Sequence, residues 1–168
     1  MNYRLPEKGD LSILQAYLQE HFDNGEMSIS ASMGLASSEY TSWVENMQKN
    51  ASAGNAAWGK SLLYLCFDEK RLVGLLSIRY ELPEELSNQY GDIGYGVRPS
   101  ERNKGYATFM LQRGLAVCKE KGMQQVMLGC YKDNLPSQKV ILKNGGELMM
   151  EKENYRQGKT SRYYVIRL

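Results

Sequence analysis

The chain has 168 residues, 42% of them hydrophobic and 24% charged, and this length and composition indicate one globular domain with its own core. Its net charge of +2, with both signs interspersed, provides no basic stripe and so argues against duplex nucleic acid as a main partner. No stretch approaches the roughly 18 apolar residues that cross a bilayer, so we expect a soluble, cytoplasmic protein with no membrane partner.

The cysteines and the histidine argue against a metal site. Cys66, Cys118 and Cys130 are odd in number, lie in apolar segments and lack paired spacing, which favours reduced core thiols over disulfides or metal ligands. His21 is the only histidine and cannot supply a histidine cluster. We therefore expect no metal, and a small molecule as the partner.

The first half of the chain is predicted to contain a short strand, two helices and a β-hairpin. A strand over residues 2–5 is followed by a helix that Asp10 is expected to cap, and Ser38 is expected to cap a second helix. The connecting residues 25–37 are predicted to be a loop. Residues 61–67 and 71–80 flank the turn 68–70 and indicate an antiparallel hairpin.

The second half is predicted to alternate strands with helices. A polar loop over residues 81–91 precedes a strand at residues 92–97, where small or polar residues alternate with large apolar ones. The strongest helical pattern of the chain then runs from near Gly105 to Gly122.

A strand at residues 125–130 and a helix capped by Asn134 come next, followed by strands at 147–152 and 161–168 joined through residues 154–159. The predicted order is β-α-α-β-β-β-α-β-α-β-β. It indicates an α/β or α+β class, with helices flanking one mixed central sheet in a single domain over residues 1–168.

The connection between the strand at residues 92–97 and the next helix has the features of an anion site. Pro99 forces an extended exit, and Gly105 permits close approach to the N–H groups and dipole of the helix N-terminus. Arg102 and Lys104 add positive charge there, which is unfavourable unless an anion shares it. The alternative is that Gly105 is a loop glycine and that the basic side chains are solvated.

The hexapeptide Arg102-Asn103-Lys104-Gly105-Tyr106-Ala107 resembles the pyrophosphate motif of the GNAT superfamily of N-acetyltransferases: Arg or Gln, two residues, Gly, one residue, then Gly or Ala. Its place between a strand and a helix, its distance from Asn134 and the predicted element order are also similar to that family. The pattern G-x-G-x-x-G does not occur. Residues 54–61 match G-x-x-x-x-G-K-[ST], but they follow a predicted helix and precede a predicted strand, the reverse of the strand–loop–helix order of a phosphate-binding loop, which argues against nucleotide hydrolysis.

The resemblance implies a GNAT fold that uses acetyl-CoA as co-substrate and transfers its acetyl group to a primary amine by direct attack in a ternary complex. It also implies that two strands splay apart to admit the pantetheine arm. The residues expected to contact CoA are Tyr95, Gly96, Val97, Arg102, Asn103, Lys104, Gly105, Tyr106, Ala107, Asn134 and Ser137. Gly91, Gly94 and Gly96 are interpreted as a bulge or as backbone approached by ligand, the alternative being a glycine-rich edge strand.

The candidate catalytic residues are Asp92 and Tyr131. Asp92 is the carboxylate best placed to take a proton from the amine through water, although it is also an ordinary aspartate at a strand end. Many members of the family protonate the leaving thiolate with a tyrosine in the helix after Asn134, but Ile141 stands there. Tyr131 is the substitute, and a thiolate can also leave without much help.

The acceptor is not readable from the sequence. Glu81, Glu84 and Glu85 could hold a cationic amine or could be solvated surface. A small amine, an antibiotic, an amino acid or a protein N-terminus all fit, and a homodimer stays open. The rival hypothesis is a non-catalytic acyl-CoA-binding or sensing module.

Overall fold

The computed structural model describes residues 1–54, 59–154 and 158–168. Its helices and strands are, in chain order, β1 (Asn2–Arg4), α1 (Leu11–Asp23), α2 (Tyr40–Ser52), β2 (Lys60–Asp68), β3 (Arg71–Tyr80), α3 (Glu84–Tyr90), β4 (Ile93–Val97), α4 (Tyr106–Glu120), β5 (Gln125–Tyr131), α5 (Leu135–Lys143), β6 (Glu147–Asn154) and β7 (Lys159–Arg167). None of the helices in these ranges has the length and hydropathy to cross a bilayer.

The strands form two antiparallel sheets, ordered β1-β2-β3-β4 and β5-β7-β6. The sheets meet at the start of β4, where the Asp92 N–H donates to the Met127 carbonyl and the Asp92 carboxylate accepts from the Met127 N–H, each at 2.7 Å. The predicted α/β class and GNAT-like order are confirmed. The expected central sheet is divided in two, because β4 and β5 diverge beyond this junction.

Two hydrophobic clusters cover the first sheet, one on each side. Helix α4 supplies Met110 and Leu111, which are fully buried in a cluster that includes Leu76 of β3 and Val126 of β5. This cluster contains residues of both sheets, so α4 holds the two sheets together. Each buried side chain of this size stabilises the fold by about 1.5–3 kcal/mol. The other side is covered by α1 and α2, whose buried residues include Leu14, Tyr17, Trp43 and Val44.

Two of the three predicted helix caps, those of Asp10 and Ser38, were wrong. Asp10 makes no side-chain capping bond within the described residues, because its carboxylate accepts hydrogen bonds from Arg4 at 2.5 and 2.7 Å and from the Glu7 N–H at 2.8 Å. Helix α2 begins one residue after Glu39, whose carboxylate accepts from the N–H groups of its first turn. Ser38 instead donates to the Gly34 carbonyl at 2.9 Å.

The polar segment at residues 81–91 is not all loop, since it contains α3. Pro83 precedes this short helix, and Glu84 and Glu85 lie in its first turn, where negative charge is favourable at a helix N-terminus. The predicted hairpin between the last two strands is present as β6 and β7, which pair as far as Asn154 and Lys159. Its connection at residues 155–157 lies outside the described residues.

Candidate active site

An open groove of about 1320 Å³ runs between β4 and β5. We call its two ends the helix end, formed by residues 102, 103 and 105–108, and the junction end, formed by Arg79, Gln89 and Tyr90 near the Asp92–Met127 junction. The helix end is built from one continuous segment before and within α4. The junction end combines side chains from β3 and α3, which only the tertiary fold brings together.

The helix end presents a row of unused backbone donors. Within the described residues, the five consecutive N–H groups from Asn103 to Ala107 donate to no protein acceptor, and the first bond of the turn runs from Thr108 to the Gly105 carbonyl at 3.0 Å. No described side chain caps α4 in their place. Such a cluster of N–H groups at the positive end of a 15-residue helix has the geometry that favours an anion.

The backbone of this turn depends on its sequence. Gly105 is the residue before the helix and has φ of 86°, in the left-handed region that side chains rarely adopt. Asn103 has φ of 63°, which asparagine tolerates better than most residues. The glycine is therefore needed for the shape of the loop as well as for its open approach.

The charged side chains of the motif are already paired. Arg102 donates to both carboxylate oxygens of Glu26, at 2.5 and 2.7 Å, and through Nε to the Val97 carbonyl at 3.2 Å. This pairing, together with hydrogen bonds from His21 and Asn24, holds the pKa of Glu26 at about 2. The prediction that the positive charge of Arg102 and Lys104 requires a bound anion is therefore wrong, because Glu26 and Glu101 neutralise these two side chains.

Lys104 does not face the groove. Its ammonium pairs with Glu101 at 2.8 Å, and it is absent from the described residues that line the groove. Glu101 also binds Arg71 at 2.6 Å, so the lysine belongs to a charge network with Glu101 and Arg71. Of the residues predicted to contact CoA, the other ten line the groove: Tyr95, Gly96, Val97, Arg102, Asn103, Gly105, Tyr106, Ala107, Asn134 and Ser137.

The groove edge of β4 has free backbone groups. Arg79 donates its N–H to the Asp92 carbonyl and Arg98 donates to the Val73 carbonyl, so the even-numbered residues of β4 bond to β3. Because strand residues alternate, residues 93, 95 and 97 direct their N–H groups to the opposite edge, which lines the groove. The edge can therefore accept an extended amide-containing ligand.

The glycines of β4 make room for the protein's own chain. A Cβ at Gly96 would lie 2.7 Å from the Ser30 carbonyl oxygen, and one at Gly94 would lie 2.8 Å from the Ser77 hydroxyl. The predicted bulge was wrong, because β3 and β4 pair in unbroken register. The close approach comes from the loop between α1 and α2, which forms a wall of the groove at Ser30 and Ala31.

The start of α5 forms another wall of the groove. The Asn134 side chain accepts the Ser137 N–H at 3.1 Å, which is a helix cap, and the Ser137 hydroxyl is 2.9 Å from the Tyr95 hydroxyl. Burial raises the pKa of Tyr95 to about 12. Tyr131 also lines the groove and is 37% exposed, with the Lys159 ammonium 4.6 Å from its ring centre.

Asp92 lies beneath the groove. It is only 4% exposed and is not among the described residues that line the groove, because its carboxylate is used at the sheet junction. Burial raises its pKa, and hydrogen bonds from the Met127 N–H and the Ser87 side chain oppose that shift. Its catalytic role stays a prediction.

The acidic residues of the 81–91 segment do not reach the groove. None of Glu81, Glu84 and Glu85 is among its described lining residues. Glu81 pairs with Lys60 at 3.2 Å, and the other two lie in the first turn of α3. These positions fit the alternative hypothesis that the three glutamates are solvated surface residues.

Sequence reasoning missed Glu26 and Arg79. Glu26 lies in a loop without periodicity, so nothing local indicated that it binds Arg102 across 76 residues of chain. The sequence did contain a signal for Arg79, since it is a charged residue near the end of a mostly apolar strand. Within the described residues no group of His, Cys, Asp or Glu is placed to hold a metal ion.

A family model described as an acetyltransferase (GNAT) domain matches residues 9–147, which is well over half of the chain. The protein therefore belongs to the GNAT acetyltransferase family, and the predictions of this family and of an acyltransferase are confirmed. A search of curated proteins found no match.

Solved structures of acetyltransferases share the fold. RimL, a ribosomal L7/L12 alpha-N-protein acetyltransferase solved with coenzyme A, is 18% identical with a TM-score of 0.74, over 99% of this chain and 93% of its own. The microcin C7 self-immunity acetyltransferase MccE, solved with acetyl-CoA and AMP, is 16% identical with a TM-score of 0.75, over 99% and 91%. A ribosomal-protein-alanine N-acetyltransferase from Brucella melitensis is 15% identical with a TM-score of 0.71, over 100% of both chains.

Proposed function

We propose that the protein transfers the acetyl group of acetyl-CoA to a primary amine by direct attack in a ternary complex. The observation that carries this proposal is the row of five N–H groups from Asn103 to Ala107, which have no acceptor in the described part of the chain, at one end of the groove. A pyrophosphate is the ligand that such a row fits, because its several oxygens can accept from neighbouring N–H groups at once. The structures of RimL and MccE contain CoA and acetyl-CoA respectively.

The groove also fits the rest of the co-substrate. The free edge of β4 offers N–H groups at residues 93, 95 and 97 to the amides of a pantetheine arm. The five residues of β4 span about 16 Å, so an arm that leaves the helix end along this strand directs its thioester toward the junction end. Asn134 and Ser137 lie on the opposite wall.

The chemistry then requires one proton removed and one supplied. The amine lone pair attacks the thioester carbonyl carbon, an N–C bond forms, the C–S bond breaks, and the thiolate leaves. An alkyl ammonium has a pKa of about 10, so it must lose a proton first. In our proposal Asp92 takes that proton through water, helped by the raised pKa that burial gives it, and Tyr131, which lines the groove, donates a proton to the leaving thiolate.

The acceptor is an amine of a small molecule or of a protein, and the protein acts in the cytoplasm as one domain over residues 1–168. Two of the neighbours are named for ribosomal protein substrates, which supports an accessible amine terminus as one acceptor kind. Such a group would enter at the junction end of the open groove, which is lined by Arg79, Gln89 and Tyr90.

Calorimetric titration with CoA, followed by detection of the free CoA thiol with a panel of amines, tests the proposal. We expect metal-independent CoA binding and thiol release that depends on the amine. Folded protein that fails to bind CoA at millimolar concentration would overturn it. Binding without transfer to any amine would favour the non-catalytic module instead.

A further inference from the structure

The junction end of the groove contains a cation in an unusual position. Leu75, Ser77 and Arg79 lie on one face of β3 because strand residues alternate. Leu75 packs under α1 and α2, whereas Ser77 and Arg79 lie beyond that cover and line the groove. Arg79 therefore brings a positive charge to the wall of the groove.

Arg79 has little within the protein to neutralise it. Its Nη1 donates to the Gly91 carbonyl at 3.0 Å, and it takes part in none of the salt bridges formed by the described residues. Asp92 is the acid whose charge acts on it, but that carboxylate is engaged by the Met127 N–H and Ser87. Burial lowers the pKa of the guanidinium, which indicates that its charge is poorly solvated.

The cations of the helix end are different. Arg102 is matched by Glu26 and Lys104 by Glu101, and each pair lies within 2.8 Å. A guanidinium has five donors in a planar fork that fits a carboxylate, and Arg79 uses one of its terminal nitrogens on a carbonyl. The remaining donors are available to an anion in the groove.

The position of Arg79 separates it from the co-substrate. Its backbone N–H donates to the Asp92 carbonyl at 2.7 Å, so it lies beside the start of β4. The pyrophosphate site lies beyond the other end of that strand, about 16 Å away. If the thioester points toward the junction end, Arg79 faces the acceptor and not the CoA phosphates.

We propose that the acceptor is an amine that also carries a carboxylate, and that Arg79 binds this carboxylate and so selects the substrate. This inference rests on the proposed acetyl transfer. The carboxylate belongs either to a free amino acid or to an acidic side chain near a peptide N-terminus. Both sources present the same anion, about two bonds from the amine nitrogen in the free amino acid and about six in a peptide whose second residue is acidic.

The experiment compares matched acceptors that differ only in that charge. Free L-amino acids are assayed against their carboxamides, and peptides that begin Ala-Asp against peptides that begin Ala-Asn. We expect kcat/KM for the carboxylate member of one of these pairs to exceed that of its neutral partner at least tenfold. The pair that shows the difference identifies the source of the carboxylate. Equal values in both pairs would overturn the inference while leaving acetyl transfer intact.

Variants separate substrate binding from a structural contribution of the Gly91 contact. Arg79→Met should remove the preference mainly by raising KM for the carboxylate acceptor, and Arg79→Lys should keep part of it because the charge remains. CoA affinity, measured by calorimetry, should stay unchanged in both. Arg167→Met is the matched control, since that side chain is 69% exposed on β7 and pairs with Glu147. Equal loss for charged and neutral acceptors in Arg79→Met would contradict the inference.

Binding provides a readout that does not need turnover. N-acetyl-L-amino acids and their amides, titrated into the CoA complex, represent the product and its uncharged counterpart. We expect the carboxylate form to bind more tightly to the wild type and equally weakly to Arg79→Met. If no amine is acetylated but this difference persists, the proposed function fails and the anion subsite stands. If the two forms bind alike, the subsite fails.

Discussion

The two ends of the groove differ in the groups that they offer to a charged ligand. The helix end uses backbone N–H groups of one segment, Asn103 to Ala107, and its cationic side chains are paired with acids. The junction end uses side chains, with Arg79 unpaired by any described acid and Asp92 buried. The pKa shifts differ accordingly, since hydrogen bonds lower that of Glu26 and burial raises that of Asp92. Backbone donors need only a local turn, whereas the side-chain site needs the whole fold.

The largest effect is expected from Ala107→Glu, which places a carboxylate beside the N–H row. Two like charges about 4 Å apart repel by roughly 4 kcal/mol at an effective dielectric constant of 20, so CoA affinity should fall on the order of a thousandfold. The thermal midpoint should not fall, because an acid in the first turn favours the helix dipole. Calorimetry and thermal unfolding measure the two quantities.

Ala116→Glu is the control for this change. Ala116 is exposed in the same helix, α4, away from the groove, so its substitution should leave CoA affinity unchanged. Gly105→Val is a poorer probe, since a branched residue at φ of 86° strains the fold by about 1–3 kcal/mol. If Ala107→Glu binds CoA as the wild type does, the pyrophosphate does not lie at this helix.

A smaller effect is expected at the junction end from Asp92→Asn. If the carboxylate relays the amine proton, the rate at neutral pH should fall on the order of a hundredfold, with partial recovery at higher pH and little change in CoA affinity. The asparagine oxygen can still accept the Met127 N–H, so the junction should survive. A pH–rate profile identical to that of the wild type would make Asp92 a purely structural residue.

Smaller again is the expected effect of Glu26→Gln. The loss of the carboxylate frees Arg102 to meet a phosphate, so CoA affinity should rise severalfold, and the gain should shrink at high salt. Glu45→Gln is the matched control, because Glu45 forms an exposed pair with Lys8. Weaker CoA binding in Glu26→Gln would show that the ion pair holds Arg102 in its binding position.

The smallest effects concern the pH dependence of stability, and their signs differ between the two ends. Glu26 has a lowered pKa, so its contribution is present above its ordinary value of 4.5 and is lost as the pH falls toward about 2. Asp92 has a raised pKa, so stability falls as the pH rises from its ordinary 3.8 through the raised value. In urea unfolding, Glu26→Gln should flatten the loss of stability toward low pH, and Asp92→Asn should flatten the loss of stability as the pH rises above 3.8. Parallel curves for the two variants would contradict this difference.

The sequence predicted the parts of the molecule that depend on local order. Helix α4, its glycine and the strand before it follow from periodicity and from one contiguous motif, and the family is confirmed by the match to residues 9–147. The cap at Asn134 was also readable, because a cap is a contact between near neighbours.

Side-chain contacts that follow no regular spacing could not be read in this way. Asp10 was expected to cap a helix, but Arg4 folds back to bind its carboxylate. The pairing of Arg102 with Glu26 and the exposure of Arg79 to the groove also depend on how α1, β3 and α4 pack. Such contacts leave no regular spacing in the sequence, because the packing of the surrounding helices and strands determines which side chains meet.

The backbone amides of Asn103 to Ala107 test the central claim most directly. In a titration of labelled protein with CoA, followed by amide proton and nitrogen NMR, these five N–H groups should shift in a saturable manner and gain protection from exchange. The same shifts should appear with dephospho-CoA, which keeps the pyrophosphate. If CoA binds and shifts other amides while these five stay unchanged, the phosphates lie elsewhere and the account of the helix end is wrong.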